Sequence, residues 1–570
     1  MYPFFRLSGA SPVRPTLASL YENYRRNSQN ASAANELASA LLTYEQPAKA
    51  LHYARKAARI QPSVARYHHN VGRILAATEC LEAAADAYER AIALQPDWPE
   101  CSYTLGKLYV RRLGNTSRAL QLFLHAIRVD PSDYFGHVGV GRCAIQDRTL
   151  DEALSYARRV SPPTQNPFDV ETGVARALEH YGRYTEARQC RLRMLAGAPH
   201  HLKTLNALAR ICDALNDQPS ALAYHEQAFR LDSRHGESFY YHLFKIGEFE
   251  RAGEVYWAAK PELRPLAEKD GKRQPPWLHS AWHGKTVLLN SVGGYGDSIQ
   301  FARFAALLRQ RGARVILQCQ KGFCSLADTV PGIDKAVSEV DERPEVDCEL
   351  VLFMETHQII GFDIRESLGT VPYLQPPEND RQAWAERLGV GTAPRVGICW
   401  AGTGSNLHNA YAFRSVPLAQ LKDVIDLPGF TFIGLQKGPV LREIAAASQG
   451  VRMQNVGEHF KDLSDAAAAV MACDLVISVD TGLAHLAGAL GKPTFVLVPY
   501  RGCYRWLLHR TDTFWYPTMK LFRQEQPGNW TGPIGKMRQA LLEFRRQANP
   551  AFQPTPVSSS CSDPCNTAIA

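Results

Sequence analysis

Two short segments hold residue types whose spacing could handle a phosphorylated ligand. The first is Asp474-Leu-Val-Ile-Ser-Val-Asp-Thr-Gly-Leu-Ala-His-Leu-Ala-Gly-Ala-Leu-Gly-Lys-Pro493. It reads as a buried strand ending at Asp480, a turn through Thr481 and Gly482, and a helix with His485 one turn in. Amides at a helix start lack intrahelical acceptors and lie at the positive end of the helix dipole, so such a start can cradle a diphosphate. Asp480 or Thr481, taken singly, would serve equally well as a helix cap. The second segment is Val287-Leu-Leu-Asn-Ser-Val-Gly-Gly-Tyr-Gly-Asp-Ser-Ile-Gln-Phe301, a strand, a glycine turn and a helix. Gly293, Gly294 and Gly296 permit close backbone approach at the carboxyl end of the strand, where open α/β sheets bind ligands. The run is not a full Gly-x-Gly-x-x-Gly, and no acidic ribose partner follows about 20 residues on, which disfavours a dinucleotide site.

The elements that must position these segments are short apolar runs alternating with helical stretches. They fall at Thr286 to Leu289, Arg314 to Leu317, Val351 to Phe353, Val396 to Trp400, Thr431 to Leu435, Leu475 to Val479 and Thr494 to Val498. Apolar strands separated by helices predict parallel sheets covered on both faces. Two such sheets fit residues 285 to 545, divided near Pro372 to Pro394. Ahead of them the grammar is purely helical and periodic. Pro62, Pro96 and Pro131 are spaced 34 and 35 residues apart, as are Gly72, Gly106 and Gly141. Between these markers Val71-Gly72, Leu75, Ala84, Tyr88 and Ala91 are answered by Leu105-Gly106, Tyr109, Ala119, Phe123 and Ala126. Glycine and alanine let paired helices approach, the aromatic fills the space between pairs, and proline stops the second helix. Ala50, Ala54 and Ala57 close a weaker first unit, and Ala187 with Pro199 and Ala221 with Ala228 mark later ones. The prolines of Ser161 to Pro167 predict a break in the array.

This repeat resembles the tetratricopeptide repeat over roughly residues 31 to 255. The run Asp480-Thr-Gly-Leu-Ala-His485, with Gly491-Lys-Pro-Thr494 after it, resembles the donor-site signature of the heptosyltransferase-like glycosyltransferases, family 9, of GT-B fold. Gly293-Gly-Tyr-Gly-Asp-Ser-Ile-Gln-Phe-Ala-Arg303 resembles that family's N-terminal motif, in the expected order and about 180 residues earlier. The resemblance implies an α-solenoid followed by two Rossmann-like domains with parallel sheets. It implies Asp297 as general base, with a helix-dipole charge as the alternative reading of that residue. Asp480, Thr481, Gly482 and His485 match the donor loop and helix start, and Gly294 and Gly296 of the first motif are expected to bind the donor with them. Trp400-Ala-Gly-Thr-Gly404, Arg414-Ser-Val-Pro417 and Gln436-Lys-Gly438 are similar to segments of the repeat-fused members, which makes Arg414 and Lys437 phosphate partners; unaided, both read as surface cations. Arg505, Trp506, Trp515, Tyr516 and Arg523 form an aromatic and basic cluster that packing of the last helices would explain. The lipopolysaccharide heptosyltransferases have a Lys before a Trp-Pro segment, whereas Arg414 precedes Ser-Val-Pro here, so ADP-heptose does not carry over as the donor.

The implied activity is inverting transfer of a sugar from a nucleotide-diphosphate sugar to a hydroxyl of a protein or glycan, with the repeats recruiting acceptor or partner. The alternative is a repeat scaffold whose GT-B part is inactive. No cofactor is expected beyond the co-substrate. No metal is expected either, because no Asp-x-Asp, Cys-x-x-Cys or His-Glu-x-x-His occurs. The 570 residues carry 64 Lys and Arg against 56 Asp and Glu, a net charge of +8. That mild excess suits an anionic ligand and falls short of a nucleic-acid footprint. The 13 cysteines are odd in number and mostly lie within apolar patterns, as buried thiols do. No leader-like start and no apolar run of membrane-spanning length is legible, so a cytoplasmic protein without a transmembrane segment is expected. The expected domains are a flexible N-terminus (1–30), the repeats (31–258), a linker (259–284), an N-terminal Rossmann-like domain (285–385), a C-terminal nucleotide-sugar-binding domain (386–548) and a disordered tail (549–570).

Overall fold

A computed structural model describes residues 17–43, 46–146, 148–162, 168–259, 267–269, 272–274, 282–291, 293–339, 341, 344–351, 364–365, 368–389, 391–402, 414–446 and 453–548. Residues 1–16, the prolines at 163 and 167, most of the 259–284 linker, Thr403, Gly404 and the 549–570 tail lie outside these. The chain divides into two compact units. One comprises Met1–His242, Val255–Leu263 and Val340–Pro344; the other comprises Leu243–Glu254, Arg264–Glu339 and Glu345–Ala570.

In the first unit, helices pair as the period requires: Ala31–Thr43 with Pro47–Ile60, Ala65–Ala77 with Leu81–Leu94, and Pro99–Leu108 with Thr116–Val129. Tyr134–Ala144, Leu150–Val160, Asp169–His180, Tyr184–Gly197, Leu202–Ala214 and Gln218–Leu231 follow. Each of the three marker prolines lies just past the end of a second helix. A Cβ on Gly72 would stand 2.9 Å from the Tyr88 ring, and one on Gly106 would stand 2.6 Å from the Phe123 ring. The small residue therefore admits the aromatic of the next helix, as the repeat pattern predicts. Gly141 does something different: its Cβ would meet the Gly173 carbonyl oxygen at 2.4 Å, and one on Gly173 would meet the His137 oxygen at 2.2 Å. Helices 134–144 and 169–180 thus touch backbone to backbone.

The second unit holds two parallel sheets. The first contains β1 (Thr286–Asn290), β2 (Arg314–Cys319), β3 (Lys335–Ser338) and β4 (Cys348–Val351), in spatial order β3-β2-β1-β4. The second contains β5 (Arg395–Cys399), β6 (Thr431–Gly434), β7 (Met453–Asn455), β8 (Leu475–Val479), β9 (Thr494–Val498) and β10 (Met519–Arg523), in order β7-β6-β5-β8-β9-β10. Every residue of β8 and β9 is buried, which is why their sequences are continuous apolar runs. Val396, Ile398, Leu475, Ile477 and Phe495 of the second sheet share one core with Trp530, just before the last helix, and with Met537 and Leu541 of that helix, Thr531–Ala548. The helix Glu378–Leu388, which spans the expected boundary at 385/386, packs on Leu463–Met471, with Trp384 Nε1 donating to Asp465 Oδ1 at 2.8 Å. Among the described residues the eleven cysteines are free, and most are buried.

Both sheets follow the doubly wound order, so strand direction of travel reverses at β1/β4 and at β5/β8. Crossover connections leave opposite ways at such a point, which opens a crevice at the carboxyl ends of the two strands. The two segments singled out in the sequence begin at these ends: Ser291–Gly294 follows β1, and Asp480–Gly482 follows β8.

Candidate functional site

After β1 the chain turns into the helix Tyr295–Ala302. The turn is held from inside: Ser298 Oγ lies 2.5 Å from Ser291 Oγ and donates to Gln320 Oε1 at 2.8 Å, while Gln320 Nε2 donates to the Gly293 carbonyl at 2.6 Å. Asp297 Oδ2 accepts from the Gly294 amide at 3.1 Å, so this carboxylate caps its own helix. Its Oδ1 is ion-paired with Arg505, whose Nε also donates to Gln300 Oε1 at 2.6 Å. Gly294 has no heavy atom within 4 Å of where a Cβ would be and faces open space.

After β8, Asp480 is buried. Burial pushes its carboxyl up, while the Trp506 side chain and the Arg414 and Arg523 guanidiniums pull the other way. Burial in turn draws Arg523 down to about 10, with Asp480 opposing. Thr481 is the N-terminal flanking residue of the helix Gly482–Ala489, yet its hydroxyl makes no capping bond and pairs instead with Ser478 Oγ at 3.1 Å. Among the described residues, no protein acceptor meets the amides of Gly482 and Leu483. Those are the donors that a helix start offers an anion.

The two turns meet. A Cβ on Gly296 would stand 2.9 Å from His485 Cδ2 and 3.7 Å from Gly482 Cα, and one on Gly482 would stand 3.3 Å from Tyr295 Cβ. Two glycines are needed here because two helix starts abut. His485 lies in the interior beneath them. Its Nδ1 is 3.1 Å from Tyr516 Oη, its ring stacks on Trp506 at 5.3 Å, and burial, aided by Arg303, lowers it to about 3. Burial thus favours the neutral ring, which packs directly beneath Gly296.

Arg414 reaches the same place: its guanidinium lies against Gly402, where a Cβ would stand 2.6 Å from Nε, and it faces Asp480. Lys437 is exposed at the carboxyl end of β6 and donates from Nζ to the Phe460 carbonyl at 2.8 Å, with no described contact to the Asp480 turn. Its neighbour Gln436 is buried and does more. Gln436 Oε1 accepts from the amides of Trp400 at 3.2 Å and Ala401 at 3.0 Å, and Nε2 donates to the Ala401 and Lys437 carbonyls, both at 3.1 Å. One side chain thus ties the end of β5 to the end of β6.

Sequence reading named Asp297 but not its partner. Arg505 is 208 residues away, and only its place in a basic, aromatic cluster marked it. Arg303 was part of the first motif without a role. It is buried, donates to the Trp515 carbonyl at 3.1 Å and stacks over Tyr373 at 4.4 Å from the ring centroid. No group of three or more metal-ligating side chains occurs among the described residues.

Residues 442–498, which include β8 and the Asp480 turn, match the model of glycosyltransferase family 9 (heptosyltransferase), and residues 65–97 match the tetratricopeptide repeat. Protein FlbA of Caulobacter vibrioides is 24% identical over 533 residues, covering 80% of this chain and 81% of FlbA. Among solved structures, E. coli ADP-heptose lps heptosyltransferase II aligns at a TM-score of 0.35 and 14% identity, over 46% of this chain and 99% of that one. The family 9 glycosyl transferase from Veillonella parvula aligns at 0.34 and 12%, over 47% and 97%. YrrB, a tetratricopeptide protein with an unusual peptide-binding site, aligns at 0.23 and 18%, over 39% and 97%. The chain thus joins a stretch matching the tetratricopeptide repeat to a heptosyltransferase-like stretch matching glycosyltransferase family 9, and these matches support a glycosyltransferase.

Proposed function

We propose that this chain moves a sugar from a nucleotide-diphosphate sugar to a hydroxyl of a protein or glycan, by single displacement with inversion and without a metal ion. The abutment of Gly296 on Gly482 supports the reading, because the helix start that offers open amides adjoins the helix start that carries Asp297. The donor diphosphate binds the Gly482 and Leu483 amides, with Arg414 as the nearby cation. The acceptor oxygen attacks the anomeric carbon, the bond to the diphosphate breaks with its electron pair, and Asp297 takes the hydroxyl proton. Donors fixed on a developing oxyanion contribute about 2.7–4 kcal/mol each, and a placed base about 10²–10⁴ in rate. Asp480 and Thr481 shape the turn, Gly294 leaves room for the ligand, and His485 is a positioning residue. Lys437 reaches the phosphates only after leaving the Phe460 carbonyl. The repeats recruit the acceptor or a partner. No helix among the described residues is long and apolar enough to cross a membrane, and a cytoplasmic location, where nucleotide sugars are supplied, goes with this reading.

One observation favours a second reading. Both oxygens of Asp297 are already engaged, by Arg505 and by the Gly294 amide. A carboxylate used in this way suits a repeat scaffold whose sugar-nucleotide region binds without turnover. Purified protein incubated with a panel of nucleotide sugars, with and without candidate acceptors, separates the two. Released nucleotide supports transfer; tight binding with no release under any condition supports the scaffold and overturns transfer.

A further inference from the structure

Two thiols meet at the end of β2. Cys319, the last residue of that strand, and Cys324, which opens the short helix Cys324–Ala327, have their Sγ atoms 3.7 Å apart. The loop between them is tight: the Phe323 amide donates to the Gln320 carbonyl at 2.8 Å, and Cys324 Sγ donates to the same carbonyl at 3.7 Å. Cys319 is buried and Cys324 is half-buried. The hydrogen bond with Cys324, and after it burial, pushes the Cys319 thiol up. Cys324 is therefore the sulfur that a reagent in solution meets first. The same loop supports the Asp297 turn. Gln320, next to Cys319, donates to the Gly293 carbonyl at 2.6 Å and accepts from Ser298 Oγ at 2.8 Å. Ser325, next to Cys324, has its Oγ 3.1 Å from Ser464 Oγ and 3.4 Å from Asp462 Oδ2, at the start of the helix Leu463–Met471.

We infer that Cys319 and Cys324 are a reversible dithiol–disulfide modification site whose closure releases the Asp297 turn from Gln320. The oxidant is a low-molecular-weight disulfide of the glutathione class. The Cys324 thiolate attacks one sulfur of the reagent, the reagent's S–S bond breaks, and one reagent thiol leaves with a mixed disulfide standing on Cys324. Cys319 then gives up its proton and attacks Cys324 Sγ, the second reagent thiol leaves, and the bond within the chain forms. Two protein thiols lose two electrons and two protons, and one reagent disulfide takes them up as two thiols. Bonded sulfurs stand about 2.03–2.05 Å apart, so the pair must close by roughly 1.7 Å. Side-chain rotation supplies part of that movement and the loop supplies the rest. Gln320 has little slack, because a shift of roughly 0.7 Å carries its bond with Ser298 out to the limit of hydrogen-bond range. The inference concerns the chain's own thiols and is independent of whether the glycosyltransferase region turns over.

The test treats the full chain with oxidised glutathione at about pH 8, near the ordinary thiol range, and then blocks the remaining thiols. Trypsin cuts after Lys321 and so parts residues 315–321 from residues 322–335, each with one cysteine, unless a bridge joins them. Wild type should yield the joined pair in the mass spectrum, dithiothreitol should abolish it, and Cys324→Ser should never give it. In the same samples, amide hydrogen exchange over residues 294–298 should quicken by about fivefold or more when wild type is oxidised and should return on reduction. Cys324→Ser should show no such change, and Cys319→Ala serves as the second variant should the first not fold. A glutathione adduct that stops on Cys324 without the joined pair overturns the site, as does the absence of any reaction there. A joined pair with unchanged exchange over 294–298 overturns the release of the turn. Neither readout uses nucleotide release, so failure here leaves the transfer reaction untouched, and failure of transfer leaves this result untouched.

Discussion

Replacing Gly296 by alanine probes the abutment of the two helix starts directly. The added carbon would lie 2.9 Å from His485 Cδ2. Carbon atoms rest at about 3.5–4.0 Å, so the contact is short by roughly 0.6–1.1 Å. His485 cannot swing away, because its Nδ1 is held at 3.1 Å by Tyr516 and its face is covered by Trp506. The strain must therefore pass into the backbone and push the helix starts apart. Overpacking of this kind costs about 1–3 kcal/mol, and the better helix propensity of alanine returns up to about 1 kcal/mol. Against a ring that cannot move, the overlap puts the cost toward the upper end, and the net loss of about 1–2 kcal/mol should lower the melting temperature of a unit of about 300 residues by about 1–3 °C. Gly294→Ala, two residues earlier, is the contrast. With φ −81° and open space around it, that position accepts a Cβ without strain, so stability should hold within about 0.5 kcal/mol. Its methyl would instead occupy the space left for ligand and reduce nucleotide release. Thermal unfolding followed by tryptophan fluorescence, paired with nucleotide release, reads both effects. A Gly296→Ala protein as stable as wild type would refute the abutment, and a Gly294→Ala protein of unchanged turnover would remove that face from the ligand site.

Three further outcomes follow from the same geometry. Gln436→Leu strips the Trp400 and Ala401 amides of their acceptor and should cost about 2–4 kcal/mol in denaturant unfolding; a loss under about 0.5 kcal/mol would show that this side chain does not join the strand ends. His485, near 6.5 when unfolded and lowered to about 3 when folded, takes up its proton on unfolding, so its contribution is intact above pH 6.5 and is lost as pH falls through that window. At pH 5 the loss is about 2 kcal/mol, and His485→Gln should flatten the stability profile between pH 6.5 and pH 4; an unchanged slope would mean that the ring is not buried neutral. Arg505→Gln removes the cation from Asp297 Oδ1 while keeping a polar group near Gln300, and the pH profile of nucleotide release should move with it; an identical profile would mean that Arg505 does not act on the reacting carboxylate.

The parts of the fold most legible in the sequence are those whose environment is uniform. β8 and β9 are buried along their whole length, so their runs stand out, and the repeat glycines mark places where an aromatic must fit. Three of the four edge strands have no such mark. β3 is Lys-Ala-Val-Ser, β7 is Met-Gln-Asn and β10 alternates buried with exposed residues, so none shows a continuous apolar stretch. At the site, the turn residues were legible because glycine and helix-start chemistry are local. Arg505 was not, since an ion pair closing over 208 residues leaves no spacing to read. His485 stands one turn into a helix start, but its burial and its pairing with Tyr516, 31 residues on, leave no trace in local spacing.

The most direct measurement compares nucleotide binding and nucleotide release in wild type and Asp297→Asn. Asparagine keeps the size of the side chain and can still accept from the Gly294 amide, but it cannot take the acceptor's proton. If the amides of Gly482 and Leu483 hold the diphosphate while Asp297 is the base, the variant should bind the nucleotide within about threefold of wild type and release it about 10²–10⁴ times more slowly. Undiminished release by Asp297→Asn, or no nucleotide binding by either protein, would contradict it.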